Sequence, residues 1–111
     1  MSNLRQTLWL RCDGYCERCG IRLDNAWAMH HRKLKSRGGK NEIMNVLALH
    51  HHCHNLGTDS VHLAPEKATE AGYLVSSWEN PQVVPVTLGD GRKVLLTDDG
   101  KYQLVEDGNG W

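Results

Sequence analysis

Residues 30–55 read HHRKLKSRGGKNEIMNVLALHHHCHN, and this stretch largely decides how the chain folds and what chemistry it can carry. It holds six of the seven histidines of the chain, and the seventh, His62, follows closely. Scattered histidines carry little information, whereas histidines clustered beside a cysteine are typical of metal binding. The stretch therefore predicts a metal-binding region together with the structural elements that position it.

Local patterns in this stretch predict two strands joined by a loop and followed by a helix. The residues around His30 and His31 suit an extended strand, in which neighbouring side chains point to opposite faces. The segment SRGGK contains adjacent glycines, which permit the sharp bending of a loop. The apolar run Val46–Leu49 predicts the second strand. The residues after it predict the start of a helix that Gly57 ends or breaks.

The flanking sequence predicts helices and then a run of strands. Residues from Asn3 to about Arg11 predict a short amphipathic helix with Leu8 facing inward. A further helix is predicted to begin at Pro65 and to end at Gly72. After it, four segments predict strands, YLVSSW, VVPVTL, RKVLLT and KYQLV, and the turns GDG and DDG separate the last three. The expected fold class is α+β, with a C-terminal antiparallel β meander.

The length of 111 residues predicts one domain spanning residues 1–111, with a core in residues 1–72 and a β extension in residues 73–111. A core of this size is small, so a bound metal would stabilise it appreciably. The sequence has no long apolar stretch, and MSNLRQTLWLR lacks the apolar run of a signal peptide. We therefore expect a cytoplasmic protein, in which four cysteines favour metal binding over disulfides.

Charge is segregated along the chain although the formal net charge is zero. Residues 1–58 hold nine Lys/Arg and four Asp/Glu, whereas residues 59–111 hold four and nine. The densest basic segment, residues 32–40, contains five cations and no acid. A local basic patch attracts phosphate even in a neutral protein. The charge distribution predicts that one local surface of the protein contacts a polyanion such as DNA, and that the protein does not cover the DNA as a histone does.

The cysteines predict a zinc knuckle. Cys16 and Cys19 are separated by two residues, a spacing that lets both thiolates reach one ion. His50 and Cys53 repeat this spacing, whereas His51 and His52 do not. The predicted set of Cys16, Cys19, His50 and Cys53 would make the closed tetrahedral site that structural Zn²⁺ prefers.

Cys12 offers an alternative ligand. It precedes Cys16 by four residues, so a set of Cys12, Cys16, Cys19 and Cys53 is conceivable. We prefer the set with His50 and interpret Cys12 as a small buried apolar residue.

The histidine-rich stretch resembles the HNH endonuclease motif, also called the ββα-metal or His-Me finger fold. The order of HH, SRGG, the two asparagines of NEIMN and CH carries the resemblance. It is most similar to small phage and prophage members that have a CxxC knuckle ahead of the motif. The resemblance runs from Cys16 to His54, and AGYLVSSWENPQVVPV resembles segments that follow the motif in actinobacterial phage members.

The resemblance implies a role for each residue of the motif. His30 would bind a catalytic divalent ion, and His31 would be the general base. Asn45 would hold the loop that carries His31 by hydrogen bonds across the hairpin. His54 would be a second ligand of the catalytic ion, which could be Mg²⁺, Mn²⁺, Ni²⁺ or Zn²⁺.

The chain departs from these relatives at two positions. His50 stands where they often have cysteine, which bears only on the affinity of the knuckle for zinc. They often carry a histidine four residues after His54, where this chain has Thr58, and His62 comes eight residues on. On an unbroken helix His62 would lie about 12 Å further along the axis, so it is a possible third ligand only if Gly57 breaks the helix. His51 and His52 are assigned no chemistry.

These features predict an enzyme that hydrolyses phosphodiester bonds in double-stranded DNA. A histidine can take a proton from water near neutral pH, and Arg32, Lys35 and Arg37 would contact the flanking phosphates. The expected oligomeric state is a monomer or weak dimer. With one base and one open ion, a monomer would nick one strand per encounter, and a double-strand break would need a dimer or two successive nicks. By family analogy alone, it would act in phage DNA packaging with the terminase.

The alternative is a non-catalytic zinc-finger module that binds DNA or a protein partner. The two hypotheses differ over the histidines that the knuckle does not use. A pure structural site has no need of His30, His31 and His54 together.

Overall fold

A hairpin of two antiparallel strands, β1 (Ala28–His31) and β2 (Val46–Leu49), lies at the centre of the fold. The structure is a computed structural model and describes residues 3–57 and 60–105. All four residues of β2 are buried, which confirms the strand predicted over Val46–Leu49. Burial alternates along β1, so that His30 is buried while His31 is partly exposed. The two adjacent histidines therefore face opposite sides of the hairpin.

The hairpin loop is closed by contacts between its two ends. The backbone N–H of Arg32 donates to the carbonyl of Asn45 at 2.8 Å, which extends the pairing beyond the strands. Gly39 approaches the opposite end so closely that a Cβ there would lie 1.7 Å from the carbonyl oxygen of Lys33. Only glycine fits at this approach, so the second glycine of SRGG fixes the shape of the loop.

Helix α1 (Leu4–Cys12) packs against β2 and confirms the predicted N-terminal helix. The side chain of Asn3 caps it by accepting a hydrogen bond from the N–H of Gln6 at 3.2 Å. Leu8 is fully buried in the core, as expected from the helical periodicity. No helix within residues 3–57 and 60–105 is long and apolar enough to span a lipid bilayer.

A short π-helical turn, His52–Leu56, follows β2 in place of a regular helix. Gly57 ends it in an extended conformation (φ −82°, ψ 158°), and its N–H donates to the carbonyl of His52. Helix α2 (Pro65–Glu70) comes next, with the proline in its first turn as predicted. Because the turn is so short, the chain after Gly57 folds back toward the hairpin.

The C-terminal strands form a second sheet of three antiparallel strands, β3 (Val86–Thr87), β4 (Lys93–Leu96) and β5 (Tyr102–Leu104). This sheet confirms the predicted meander for its last three strands.

The prediction of a strand over YLVSSW, residues 73–78, is wrong. Tyr73, Leu74 and Val75 are buried, but as an irregular connection. The N–H of Tyr73 donates to Ala68 and that of Val75 to Arg32, so their backbone partners are a helix and the hairpin.

Arg11 and Glu17 form a buried ion pair beneath the hairpin, with both side chains 1% exposed. Each carboxylate oxygen of Glu17 accepts one hydrogen bond from Arg11 at 3.0 Å. The same carboxylate accepts from the N–H of Ala48 at 2.8 Å and from the hydroxyl of Tyr102 at 2.6 Å. The pair is therefore fully hydrogen-bonded and ties α1, β2 and β5 together.

Arg32 is also fully buried, with 0% of its surface exposed. Its guanidinium donates to four backbone carbonyls at 2.6–3.1 Å, those of Met44, Gly72, Pro81 and Val84. The prediction that Arg32 contacts a DNA phosphate is wrong, because no part of its side chain reaches the surface. Burial lowers the pKa of Arg32 to about 10, so the group stays charged at neutral pH.

We expect Arg32→Met to lower the free energy of unfolding by about 3 kcal/mol or more, because it leaves several buried carbonyls without donors. Urea unfolding of the zinc-loaded protein measures the effect. Lys33→Met is the matched control, since the bond of the Lys33 amine among residues 3–57 and 60–105 is an exposed one to the carbonyl of Glu79. If Arg32→Met unfolds like the wild type but binds DNA less well, Arg32 acts at the surface after all.

Candidate metal centres and active site

The first cluster of ligands consists of Cys16, Cys19, His50 and Cys53, whose ligand atoms lie within 4.8 Å of one another. Sγ of Cys19 lies 3.2 Å from Nδ1 of His50, and Nε2 of His50 lies 2.9 Å from the carbonyl oxygen of Arg22. A carbonyl can only accept, so Nε2 carries the proton and Nδ1 is free to face the thiols. Three sulfurs and one imidazole nitrogen are a donor set that could hold Zn²⁺.

Backbone turns bring the two halves of this cluster together. The N–H of Gly20 donates to the carbonyl of Cys16 at 2.9 Å, which closes the turn between the first two cysteines. The other half begins directly after β2, which leaves the hairpin at Leu49. Burial and the neighbouring Cys16 raise the pKa of the Cys53 thiol, so metal binding there must displace a proton.

Cys12 lies outside this cluster. It is buried in the apolar core, and its Sγ lies 3.5 Å from the carbonyl oxygen of Trp9. Burial raises the pKa of its thiol, as expected for a cysteine that packs as an apolar residue. The structure therefore favours the ligand set with His50 over the set with Cys12.

A second cluster brings together His30, His54 and His62, again with ligand atoms within 4.8 Å of one another. Their ring centroids are 4.6–5.5 Å apart. The Nε2 atoms of His54 and His62 face each other at 3.1 Å. Such a convergence of imidazole nitrogens is the arrangement from which a divalent ion can be bound.

His62 reaches this cluster because the chain reverses after the π-helical turn. The N–H of Val61 donates to the carbonyl of Cys53 at 3.0 Å, and the N–H of His62 donates to that of His54 at 3.1 Å. Gly57 lies at the start of this reversal in an extended conformation (φ −82°, ψ 158°). The helix thus does break at Gly57, and the distance expected along an unbroken helix does not apply.

His30 is held in a defined orientation by the C-terminal half of the chain. Its Nε2 lies 2.6 Å from the carbonyl oxygen of Tyr73 and must donate to it. The remaining nitrogen, Nδ1, keeps its lone pair. Burial lowers the pKa of His30 to about 3, and burial together with His62 and His51 lowers that of His54 to about 4. Both rings are therefore neutral at physiological pH, the form that binds metal.

The lowered pKa of His30 predicts that acidification destabilises the fold. In the unfolded chain this histidine becomes protonated below pH ~6.5. In the folded chain it stays neutral until the pH falls to about 3. The stabilisation is therefore complete above pH ~6.5 and is lost as the pH falls, at up to ~1.4 kcal/mol per pH unit. We expect the stability difference between wild type and His30→Gln to change by ~1–2 kcal/mol in this direction between pH 7 and pH 5.

Urea unfolding at each pH, with one equivalent of zinc and no other divalent ion, measures this difference. The pH dependence of zinc binding at the knuckle is common to both proteins and cancels. A difference that stays constant from pH 7 to pH 5 would show that His30 titrates normally in the folded protein.

His31 is the last residue of β1 and lines a cavity of about 720 Å³. Its Nε2 lies 2.7 Å from Oδ1 of Asn41. Lys35 and Asn41 line the same cavity. The partly exposed imidazole is therefore accessible to water and sits beside a cation that could attract a phosphate.

Asn45 bridges the two ends of the hairpin loop. Its Oδ1 accepts from the N–H of Lys33 at 2.7 Å, and its Nδ2 donates to the carbonyls of Lys33 and Lys40 at 3.0 Å each. The side chain is 1% exposed and satisfies both of its polar ends in this way. It therefore holds the loop in one shape directly after His31.

Two histidines and two basic residues of the hairpin loop lie at the surface. His51 and His52 are exposed and belong to neither cluster of ligands among the described residues. Lys35 and Arg37 are exposed on the hairpin loop, and Nη1 of Arg37 is 3.4 Å from the carbonyl oxygen of Val75.

Sequence reasoning missed two contacts. Asn41 lies four residues before Asn45, and the available signal was its place as the first asparagine of NEIMN. The carbonyl of Tyr73 carried no signal, because a backbone acceptor cannot be recognised from residue type.

Residues 16–60 match a family model described as HNH endonuclease. Neither the curated proteins nor the solved structures provide a significant match. The matched segment contains all four residues of the cysteine-rich cluster together with His30, His31, Asn45 and His54, and His62 lies two residues beyond it. The similarity to the HNH endonuclease family therefore covers 45 of the 111 residues of the chain, from Cys16 to Ser60.

Proposed function

We propose that the protein is a metal-dependent endonuclease that hydrolyses phosphodiester bonds of duplex DNA and nicks one strand per encounter. We further propose that its core has the ββα-metal arrangement, built from the hairpin and the chain after β2. The observation that carries the proposal is the convergence of His30, His54 and His62 on one point next to an HNH family match. A structural zinc site alone has no use for these three residues.

The second cluster fits a divalent ion. His54 and His62 direct Nε2 toward each other, and the bond to Tyr73 leaves Nδ1 of His30 as its free nitrogen. Three protein ligands leave open coordination positions, as catalytic sites require. An ion bound there would polarise a phosphate oxygen and stabilise the charge that develops on the departing 3′ oxygen.

His31 is the proposed general base. Its imidazole accepts a proton from a water molecule, whose oxygen forms a bond to phosphorus while the bond to the 3′ oxygen breaks. The products are a 5′ phosphate and a 3′ hydroxyl that takes its proton from solvent. Asn45 keeps the loop next to His31 rigid, so that the base is already oriented when DNA binds.

The proposed role of the first cluster is structural. Zn²⁺ held by Cys16, Cys19, His50 and Cys53 would cross-link the knuckle to the end of β2. Cys53 and His54 are adjacent, so the same turn carries a ligand of each cluster. Stabilising the knuckle would therefore also fix the position of His54.

The test is cleavage of supercoiled plasmid with Mg²⁺, Mn²⁺, Ni²⁺ and Zn²⁺ supplied in turn. We expect nicked circles to appear before linear DNA with at least one of these ions. Metal analysis should show one tightly held zinc and a second, weaker divalent site. No cleavage with any ion, together with a single zinc, would favour a non-catalytic zinc-binding module instead.

Lys35 is the proposed phosphate contact that lines the same cavity as His31. Each phosphate contact contributes about −0.9 to the slope of log affinity against log salt concentration. We therefore expect Lys35→Ala to flatten this slope by ~0.9 and to weaken binding to all DNA sequences alike.

Fluorescence anisotropy over a range of salt concentrations, without divalent ions other than the knuckle zinc, measures the slope. Lys93→Ala is the matched control, since Lys93 is exposed on the C-terminal sheet. Equal slopes for the wild type and Lys35→Ala would remove Lys35 from the DNA-binding surface. Arg37→Ala tests the second exposed cation in the same way.

A further inference from the structure

We propose that Asn41 is a positioning residue that fixes the tautomer and the ring orientation of His31. The inference rests on the proposed role of His31 as general base. It goes beyond that role by naming the group that holds the base and the nitrogen that accepts the proton.

The hydrogen bond between the two side chains defines the tautomer. Nε2 of His31 lies 2.7 Å from the amide oxygen Oδ1 of Asn41. An amide oxygen only accepts, so Nε2 carries the proton. In neutral imidazole the lone pair is then on Nδ1, which is the nitrogen able to take a proton from water. The bond also stabilises the imidazolium that forms after proton transfer, because Nε2–H donates more strongly when the ring is charged.

The surroundings of His31 make such a partner necessary. The ring is partly exposed and borders a cavity whose other charged lining groups are Arg5, Lys35, Asp98 and Asp99. Among the hydrogen bonds of the described residues, the bond to Asn41 is the one made by this imidazole. A solvent-accessible ring without it would exchange between tautomers and rotate, so only part of the population would be ready to react.

Asn41 is itself held by the loop. Its backbone follows Lys40, whose carbonyl accepts from Nδ2 of Asn45 at 3.0 Å. The described bonds of the Asn45 side chain go to Lys33 and Lys40, and none goes to His31. Asn45 therefore acts on the base indirectly, through the backbone at Lys40 and the side chain of Asn41.

Three variants test the proposal. Asn41→Leu removes the acceptor at similar size, whereas Asn41→Asp keeps an acceptor oxygen at the same reach. Glu42→Leu is the control for a polar-to-apolar change in the same exposed loop. In single-turnover cleavage at saturating DNA and Mn²⁺, we expect Asn41→Leu to be ~10–100-fold slower. We expect Asn41→Asp and Glu42→Leu to cleave at close to the wild-type rate. The affinities for DNA and Mn²⁺ should be unchanged in Asn41→Leu and in Glu42→Leu.

Two readouts separate positioning from a general effect on structure. ¹⁵N NMR should show His31 as the Nε2–H tautomer in the wild type and as a mixture of tautomers in Asn41→Leu. In a His31→Ala background, Asn41→Leu should cause no further loss, because the residue it positions is absent.

The outcomes distinguish the inference from the function on which it rests. If His31→Ala cleaves like the wild type, the proposed general base is wrong. If His31→Ala is inactive but Asn41→Leu keeps full rate and one tautomer, only the inference about Asn41 is overturned. It is also overturned if Asn41→Asp is as slow as Asn41→Leu, because the amide would then act through its NH₂ group.

Discussion

His31→Ala should slow DNA cleavage by ~10²–10⁴-fold, the usual contribution of a general base, while the ion, the zinc and the fold are retained. The separation of effects follows from the geometry of β1. His31 lies on the partly exposed face and belongs to neither ligand cluster among the described residues. Its removal takes away the proton acceptor and leaves the nitrogens of the second cluster in place.

His30→Ala provides the matched comparison, because the two residues are identical in type and adjacent in sequence. His30 faces the interior and contributes a nitrogen to the cluster with His54 and His62. Its loss should lower both cleavage and the affinity for the catalytic ion. Calorimetric titration with Mn²⁺ and plasmid nicking, measured on the same preparations, separate the two variants.

The pair of variants can also contradict the assignment. If His31→Ala abolishes ion binding while His30→Ala retains it, the two roles must be exchanged. If neither variant changes cleavage, the activity comes from a contaminating nuclease or from a different site on the protein.

The metal clusters could be predicted from sequence to the extent that short spacings decide which residues meet. The two-residue spacers of Cys16 to Cys19 and of His50 to Cys53 allow each pair to reach one ion, whatever the rest of the fold does. The sequence does not decide whether His62 joins the second cluster, because the position of His62 depends on how the chain turns after His54. That turn is held by the backbone bonds from Val61 to Cys53 and from His62 to His54, which no residue pattern indicates.

The wrong prediction for Arg32 shows a different limit. The density of basic residues predicts one exposed face, although residues in an extended segment alternate between faces. Arg32 has the same parity as the buried His30, and the alternation continues past the end of β1. The alternation of period two therefore predicts the burial of Arg32 correctly, whereas the local charge density predicts its exposure.

The strand predicted over residues 73–78 failed for a related reason. A short apolar run indicates burial, but burial alone does not distinguish a strand from a buried connection. Tyr73 and Val75 are buried because they cross the hairpin, where their backbone groups contact His30 and Arg32. Such long-range partners are absent from a local sequence pattern.

Cys16→Ser should have the largest effect on the fold. Structural zinc binding is coupled to folding and contributes on the order of 10 kcal/mol in small zinc domains. Domains of this size have a total stability of about 5–15 kcal/mol, so weakening the site by several kcal/mol should leave the chain largely unfolded at 37 °C. Cys16 is 2% exposed, and its carbonyl accepts the hydrogen bond from Gly20 that closes the knuckle turn.

Cys12→Ser is the matched control, because Cys12 is also buried but lies outside the cluster. It should keep one full equivalent of zinc and lose only ~1–2 kcal/mol, as expected for a polar group placed in a core. Zinc content by mass spectrometry under native conditions and thermal unfolding by circular dichroism measure both variants. If Cys16→Ser melts like the wild type with zinc at full occupancy, or if Cys12→Ser is the variant that loses zinc, the ligand set is wrong. A protein that keeps its fold after complete removal of zinc would show that the apolar core and the buried pair of Arg11 and Glu17 suffice to hold the hairpin.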